Sequence, residues 1–191
     1  MNTRKYKRDD LQRIAKRLLK GDIIAFPTDT VFGLACVYDD EEVVEKIYAA
    51  KGRNHKKALP MMCSSIDMAK EYALLDERSE KLMRVFSPGA LTYILDKQDG
   101  STIAVRIPDD KWIRELIDTV KKPLLVTSAN ISDTSSLKHW KGVYMQLNGL
   151  IDGIVTEDAE TVVSSTIVDA RDGLKILREG VIPKEEIEEA L

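Results

Sequence analysis

Residues suited to holding anions and hydroxyl-bearing ligands recur at the ends of apolar stretches in this chain. In Ile23 to Leu34, IIAFPTDTVFGL, an apolar run meets Pro27, which cannot donate to a strand ladder, and then Thr28, Asp29 and Thr30. Short polar groups at the carboxyl end of a strand lie where open α/β sheets bind ligands, and Gly33 permits close backbone approach. The same residues also suit a turn held by Asx and Thr hydrogen bonds. Lys51 and Arg53 stand two apart in what reads as a loop, so both side chains can point one way. A guanidinium fork beside an ammonium suits a polyphosphate; as surface charges at a helix end the pair would instead answer the helix dipole. Ser128 and Asn130 flank the small Ala129 and offer a hydroxyl and an amide to a ligand, or an N-cap to a short helix. Arg106 lies in the apolar strand AVRIP, where an unpaired cation is costly, and calls for a carboxylate from the protein or a ligand. Arg178 in ILREG repeats that pattern, and Ser164, Ser165 and Thr166 place hydroxyls at a strand start.

The remaining composition narrows the chemistry. His55 and His139 are the only histidines, which argues against a His-rich metal centre and a Ser-His-Asp hydrolase. Cys36 and Cys63 have neither zinc nor disulfide spacing and read as reduced, buried thiols. No GxxxxGK[ST] or GxGxxG phosphate loop occurs, and no nucleophile has a local base. A site of this kind works by positioning and charge neutralisation, as phosphoryl and nucleotidyl transfers permit, and any metal would be a hard one carried by substrate phosphates. Basic residues crowd positions 4 to 20 and 51 to 57, and Glu185, Glu186, Glu188 and Glu189 balance them near the C-terminus, leaving a net charge of −3. Such runs also serve as solvated helix faces. With no apolar run of bilayer length and no signal-like N-terminus, the expected location is the cytoplasm.

Elements must hold these groups in place. Apolar spacing predicts helices from Leu11 to Leu19 (capped by Asp9 or Asp10), Glu41 to Ala50, Ile66 to Tyr72, Glu77 to Phe86, Asp109 to Val120 and Lys138 to Asn148, with a last helix after Pro183. Strands are expected at 23–26, 60–63, 90–95, 102–107, 124–126, 154–155, 166–168 and 174–177. Strands that follow each other directly, at 90 to 107 and 166 to 177, point to a mixed rather than a purely parallel sheet. A chain of 191 residues without an internal repeat or linker is expected to form a single domain over 1–191.

Seven segments in order, PTDTVFGL, KGR, SPGALT, AVRIP, TSAN, STIVD and LREG, span about residues 20 to 182 and resemble the YrdC/Sua5 family, the bacterial L-threonylcarbamoyladenylate synthases. The resemblance implies an α/β fold with a twisted mixed sheet flanked by helices around a large basic concave surface. It implies condensation of L-threonine, bicarbonate and ATP to threonylcarbamoyl-AMP and pyrophosphate, with Mg2+ carried by the phosphates, for N6-threonylcarbamoyladenosine at position 37 of tRNA. It also implies a downstream threonylcarbamoyl transferase complex and the short form of the family. By position, Thr30, Arg106 and Ser165 match residues that hold the threonine, Arg106 through its carboxylate. Lys51, Arg53, Thr102, Ser128, Asn130, Ser136 and Arg178 match the ATP side, with Lys51 and Arg53 neutralising the triphosphate as pyrophosphate leaves. The chain departs from the family pattern at Asn54, at Met62 where a histidine is usual, and at Asp133 where a glycine follows SANxS. Met62 followed by Cys63 is closer to the YciO paralogues. A YciO-like paralogue acting on another substrate, or a non-catalytic double-stranded RNA or tRNA-binding module using the same concavity, are the alternative readings.

Overall fold

A computed structural model describes residues 2–171 and 173–190. Among these residues ten strands form one sheet: β1 (Arg4–Tyr6), β2 (Ile24–Phe26), β3 (Gly33–Val37), β4 (Met61–Met62), β5 (Leu91–Asp96), β6 (Thr102–Arg106), β7 (Leu124–Ser128), β8 (Gly153–Val155), β9 (Thr166–Asp169) and β10 (Lys175–Arg178). Their order across the sheet is β1-β8-β2-β3-β7-β4-β6-β5-β9-β10. The hairpins β5/β6 and β9/β10 are antiparallel, as direct succession in the sequence requires, while β8 pairs parallel with β1 and β2, β4 with β6, and β5 with β9. Among the described residues seven α-helices pack on this sheet: α1 (Leu11–Leu18), α2 (Glu41–Lys51), α3 (Ile66–Tyr72), α4 (Glu77–Phe86), α5 (Lys111–Val120), α6 (Trp140–Leu147) and α7 (Lys184–Glu189). Among the described residues no helix is long and apolar enough to cross a membrane.

The period of two along each strand divides the interior. In β2 and β3, Ile24, Phe26, Ala35 and Val37 join α1 and α5 on one face, while Ala25, Leu34 and Cys36 join α2 and α6 on the other. Strands buried on both faces read as unbroken apolar runs, which explains the character of IIAF. Further along the sheet, Met61, Tyr93, Leu95, Val105 and Val168 pack against α3, α4 and α7 through Ala69, Leu82, Met83, Phe86 and Ile187. The residues alternating with them, Met62, Thr92, Ile94, Ala104, Arg106 and Ile167, line a cavity.

Two strands and one cap differ from expectation. β1 is absent from the sequence reading because its three residues are RKY, of which Tyr6 alone is buried. β3 is likewise missed, although it lies between β2 and β7, antiparallel to both. The carboxylate of Asp10 does not cap α1; it accepts from the Lys7 backbone N–H at 2.9 Å, one turn earlier, in the 3-10 turn Arg8–Asp10.

Gly33 opens β3 where the sheet meets the cavity. A Cβ there would lie 2.8 Å from Val126 Cγ1 and 3.2 Å from Thr28 Cγ2. Gly33→Ala is therefore expected to cost about 1–3 kcal/mol by overpacking. Chemical denaturation of Gly33→Ala, Val126→Ala and the double variant should show the double variant losing less than the sum of the two single losses.

Candidate active site

The cavity encloses about 300 Å³ and is walled by four parts of the chain: the turn after β2, the loop before β4, one face of β4, β5, β6, β7 and β9, and the segment Ser164–Ser165 with Arg178. Arg106 ends β6 and is 4% exposed. Its carboxylate partner is the protein's own Asp29, with Nη2 to Oδ2 at 2.7 Å. Nη1 donates to Thr30 Oγ1 at 2.9 Å and Nε to the Gly89 carbonyl at 3.0 Å. Burial lowers the pKa of Arg106, against the pull of Asp29, and burial raises that of Asp29, against the pull of Arg106.

The PTDT turn is held by the hydrogen bonds its composition allows. Thr28 Oγ1 donates to the Val31 carbonyl at 2.7 Å and accepts from the Thr30 backbone N–H at 3.1 Å. Since Thr28 has spent its one proton, Thr30 is the donor in the 3.1 Å contact between the two hydroxyls. Thr28 thus builds the turn, and Thr30 faces Arg106.

Across the cavity, Ser165 Oγ lies 2.8 Å from Thr92 Oγ1, and both residues are buried. Arg178, exposed at the end of β10, donates through Nε and Nη2 to the Ser165 carbonyl at 3.2 and 2.8 Å. The glycine of LREG makes this approach possible: a Cβ on Gly180 would fall 2.1 Å from the Ser164 carbonyl oxygen. Arg53 follows Gly52, which ends α2 with φ +58, and donates to the Lys57 and Ala58 carbonyls at 3.0 Å each. Partial burial lowers its pKa.

Of the ten residues matched to the threonine and ATP sites, Thr30, Arg53, Arg106, Ser128, Ser165 and Arg178 meet around the cavity. The other four do not line it. Thr102 shares the face of Ala104 and Arg106 but lies further out, exposed, opposite Asp96. Asn130 is 5% exposed; its amide nitrogen donates to the Ile131 and Thr134 carbonyls, and its Oδ1 is buried with no hydrogen-bond partner. Ser136 is half-buried in the loop ahead of α6. Lys51 corrects the loop reading: it is the last residue of α2, 1% exposed, and its ammonium is engaged by the Ser128 and Asn130 carbonyls. Its side chain braces the end of β7 from below, while Arg53 turns into the cavity. Thr92 and Thr127 line the wall without having been singled out as binding residues; their signal is a hydroxyl within an otherwise apolar strand.

The departures from the family pattern have physical counterparts. Asp133 has φ +64, the left-handed region that favours glycine and that aspartate tolerates, and its carboxylate accepts from Lys57 Nζ at 2.7 Å. Met62 lies buried in the cavity wall.

A family profile described as "Telomere recombination" (Sua5/YciO/YrdC) matches residues 16–180. The chain belongs to the Sua5/YciO/YrdC family. It is 34% identical to a threonylcarbamoyl-AMP synthase of Bacillus subtilis (strain 168) over 93% of its own length and 55% of that relative. It is 33% identical to one of Vibrio vulnificus (strain YJ016) over 90% of its length and 98% of the relative. The chain thus spans about half of the first protein and nearly all of the second. Its fold matches the crystal structure of P. abyssi Sua5 complexed with L-threonine with a TM-score of 0.91 and 30% identity, covering all of this chain and 60% of that one. The E. coli YciO structure, at 20% identity and a TM-score of 0.85, shares the fold.

The bracing role of Lys51 has a pH signature. Burial, aided by Arg53, lowers its pKa from 10.5 to about 8. Between those values the unfolded chain holds a proton that the folded protein has released, so stability rises with pH on this group's account. Denaturation of wild type and Lys51→Met should show wild type gaining relative to the variant from pH 8 towards 10.5. At neutral pH the variant is expected to lose about 1–3 kcal/mol for the Asn130 carbonyl left without this donor, since the Ser128 carbonyl keeps the Asn130 backbone N–H at 3.1 Å.

Proposed function

We propose that this protein condenses L-threonine, bicarbonate and ATP into threonylcarbamoyl-AMP, releasing pyrophosphate and water, as a nucleotidyltransferase of tRNA modification. The observation that carries the reading is Arg106, buried beside Thr30 and facing a cavity otherwise walled by hydroxyls, apolar side chains and two further arginines. The named activity of the Bacillus and Vibrio relatives and the L-threonine complexed with the P. abyssi protein support the choice of amino acid.

In this reading the threonine carboxylate meets Arg106, and Thr30 and Ser165 hold its remaining polar groups. Arg53, Ser128 and Arg178 take the nucleotide, with Lys51, Asn130, Ser136 and Thr102 shaping that side. The threonine amine joins bicarbonate to give a carbamate and water, and a carbamate oxygen attacks the α-phosphorus as the bond to pyrophosphate breaks. Guanidinium groups that neutralise the phosphates assist this transfer by positioning and charge. Among the described residues no three His, Cys, Asp or Glu side chains gather as a metal site, so the proposal carries Mg2+ on the triphosphate. The one continuous sheet supports a single YrdC-like domain. Delivery of the product to tRNA through a downstream threonylcarbamoyl transferase complex, in the cytoplasm, completes the proposal.

Pyrophosphate release from ATP is expected to require both L-threonine and bicarbonate. Arg53→Ala should raise the ATP KM at least tenfold with little change in melting temperature, since its partly exposed side chain bonds only to nearby loop carbonyls. Release that is independent of threonine, or salt-sensitive RNA binding with no release at all, would overturn the reading in favour of the paralogue or the RNA-binding module.

A further inference from the structure

The proposed function assigns Arg106 a substrate carboxylate, and the structure holds a second feature that aims it. A guanidinium has five N–H donors, and three of those on Arg106 are engaged by three different segments: Nε by the Gly89 carbonyl, Nη1 by Thr30 and Nη2 by Asp29. One hydrogen remains on each Nη nitrogen, and these two are the donors left for a ligand in the cavity that Arg106 lines. Asp29 is itself pinned, because the same Oδ2 accepts the Asp109 backbone N–H at 2.9 Å. The next residue, Asp110, caps α5 and takes two hydrogen bonds from Arg8, at 3.0 and 2.7 Å. The other carboxylate oxygen of Asp29, Oδ1, is buried without a hydrogen-bond partner. Oδ2 is thus held against both Arg106 and Asp109.

We propose that Asp29, which does not line the cavity, is a positioning residue: it locks the plane of Arg106 so that the two free Nη hydrogens form a matched pair for a substrate carboxylate. The inference rests on the threonine reading, and the test separates the two. Steady-state pyrophosphate release by Asp29→Ala is expected to show a threonine KM raised at least tenfold, with the ATP KM within twofold of wild type. Asp29→Asn, which retains an acceptor of the same shape, should recover most of that loss. An Asp29→Ala protein with an unchanged threonine KM overturns the proposal, and so do equal losses in Ala and Asn or parallel rises in both KM values. Should Asp29→Ala fail to fold, Asp29→Glu keeps the charge but displaces the guanidinium, and it too should raise the threonine KM tenfold; an unchanged value overturns the proposal. Independently of substrate, ¹H–¹⁵N spectra of the ligand-free protein should resolve the restrained Arg106 Nη signals in wild type and lose them in Asp29→Ala or Asp29→Glu. Persistence of those signals overturns the role of Asp29. Absence of threonine-dependent turnover in wild type, with the signals behaving as expected, overturns the functional reading alone.

Discussion

Arg106 carries a full positive charge where water reaches only 4% of its surface, and the lost hydration, several kcal/mol, must be answered by the protein. The groups that answer come from far along the chain: Gly89 is 17 residues away, Thr30 is 76 and Asp29 is 77. Three strands, β3, β7 and β4, lie between β2 and β6 in the sheet. The turn after β2 must therefore span that gap to reach the guanidinium, and in spanning it becomes a wall of the cavity. Satisfying one buried cation thus fixes the relative placement of two distant strand ends and the turn between β2 and β3.

The cavity itself follows from how the sheet is covered. Helices α3, α4 and α7 pack against one face of β4, β6, β5 and β9, taking Tyr93, Leu95, Val105 and Val168. Alternation then sends Thr92, Ile94, Ala104, Arg106 and Ile167 to the opposite face, where they line the cavity. Hydroxyls and a guanidinium on that face have room to meet a ligand because α3, α4 and α7 are on the other. Larger apolar residues along this wall would fill the space; the small Ala104 and Gly33 keep it open.

Much of this is legible in the residues. The spacing of apolar positions locates α3 and α4 at their observed bounds, and strands in direct succession mark both hairpins. β1 escapes because two of its three residues are charged and exposed, and β3 because a glycine opens a run buried on both faces, with no alternation to read. At the site, polar residues on apolar strand ends identify Thr30, Arg106, Ser128, Ser165 and Arg178, and the cavity gathers them. The loop reading of Lys51 fails because α2 runs through it, so that two side chains expected on one face of a loop become a buried helix end and a residue lining the cavity. Asp29 is visible as a carboxylate, but its pairing with a residue 77 positions away depends on tertiary structure that no local pattern encodes.

The hydroxyl of Thr30 has a direction. Its proton goes to Thr28, which passes its own to the Val31 carbonyl, and Arg106 fills one of its lone pairs. Hydrogen bonds therefore run one way, from the guanidinium through two hydroxyls into the backbone, and the last open position on Thr30 is a lone pair. Such a group has nothing to offer a carboxylate or phosphate oxygen; it repels them and welcomes an N–H or O–H. In the proposed reading, where Arg106 takes the anionic end of the ligand, the wall beside it carries a filter of opposite sign, and a ligand seated against both is sorted end for end as well as by charge.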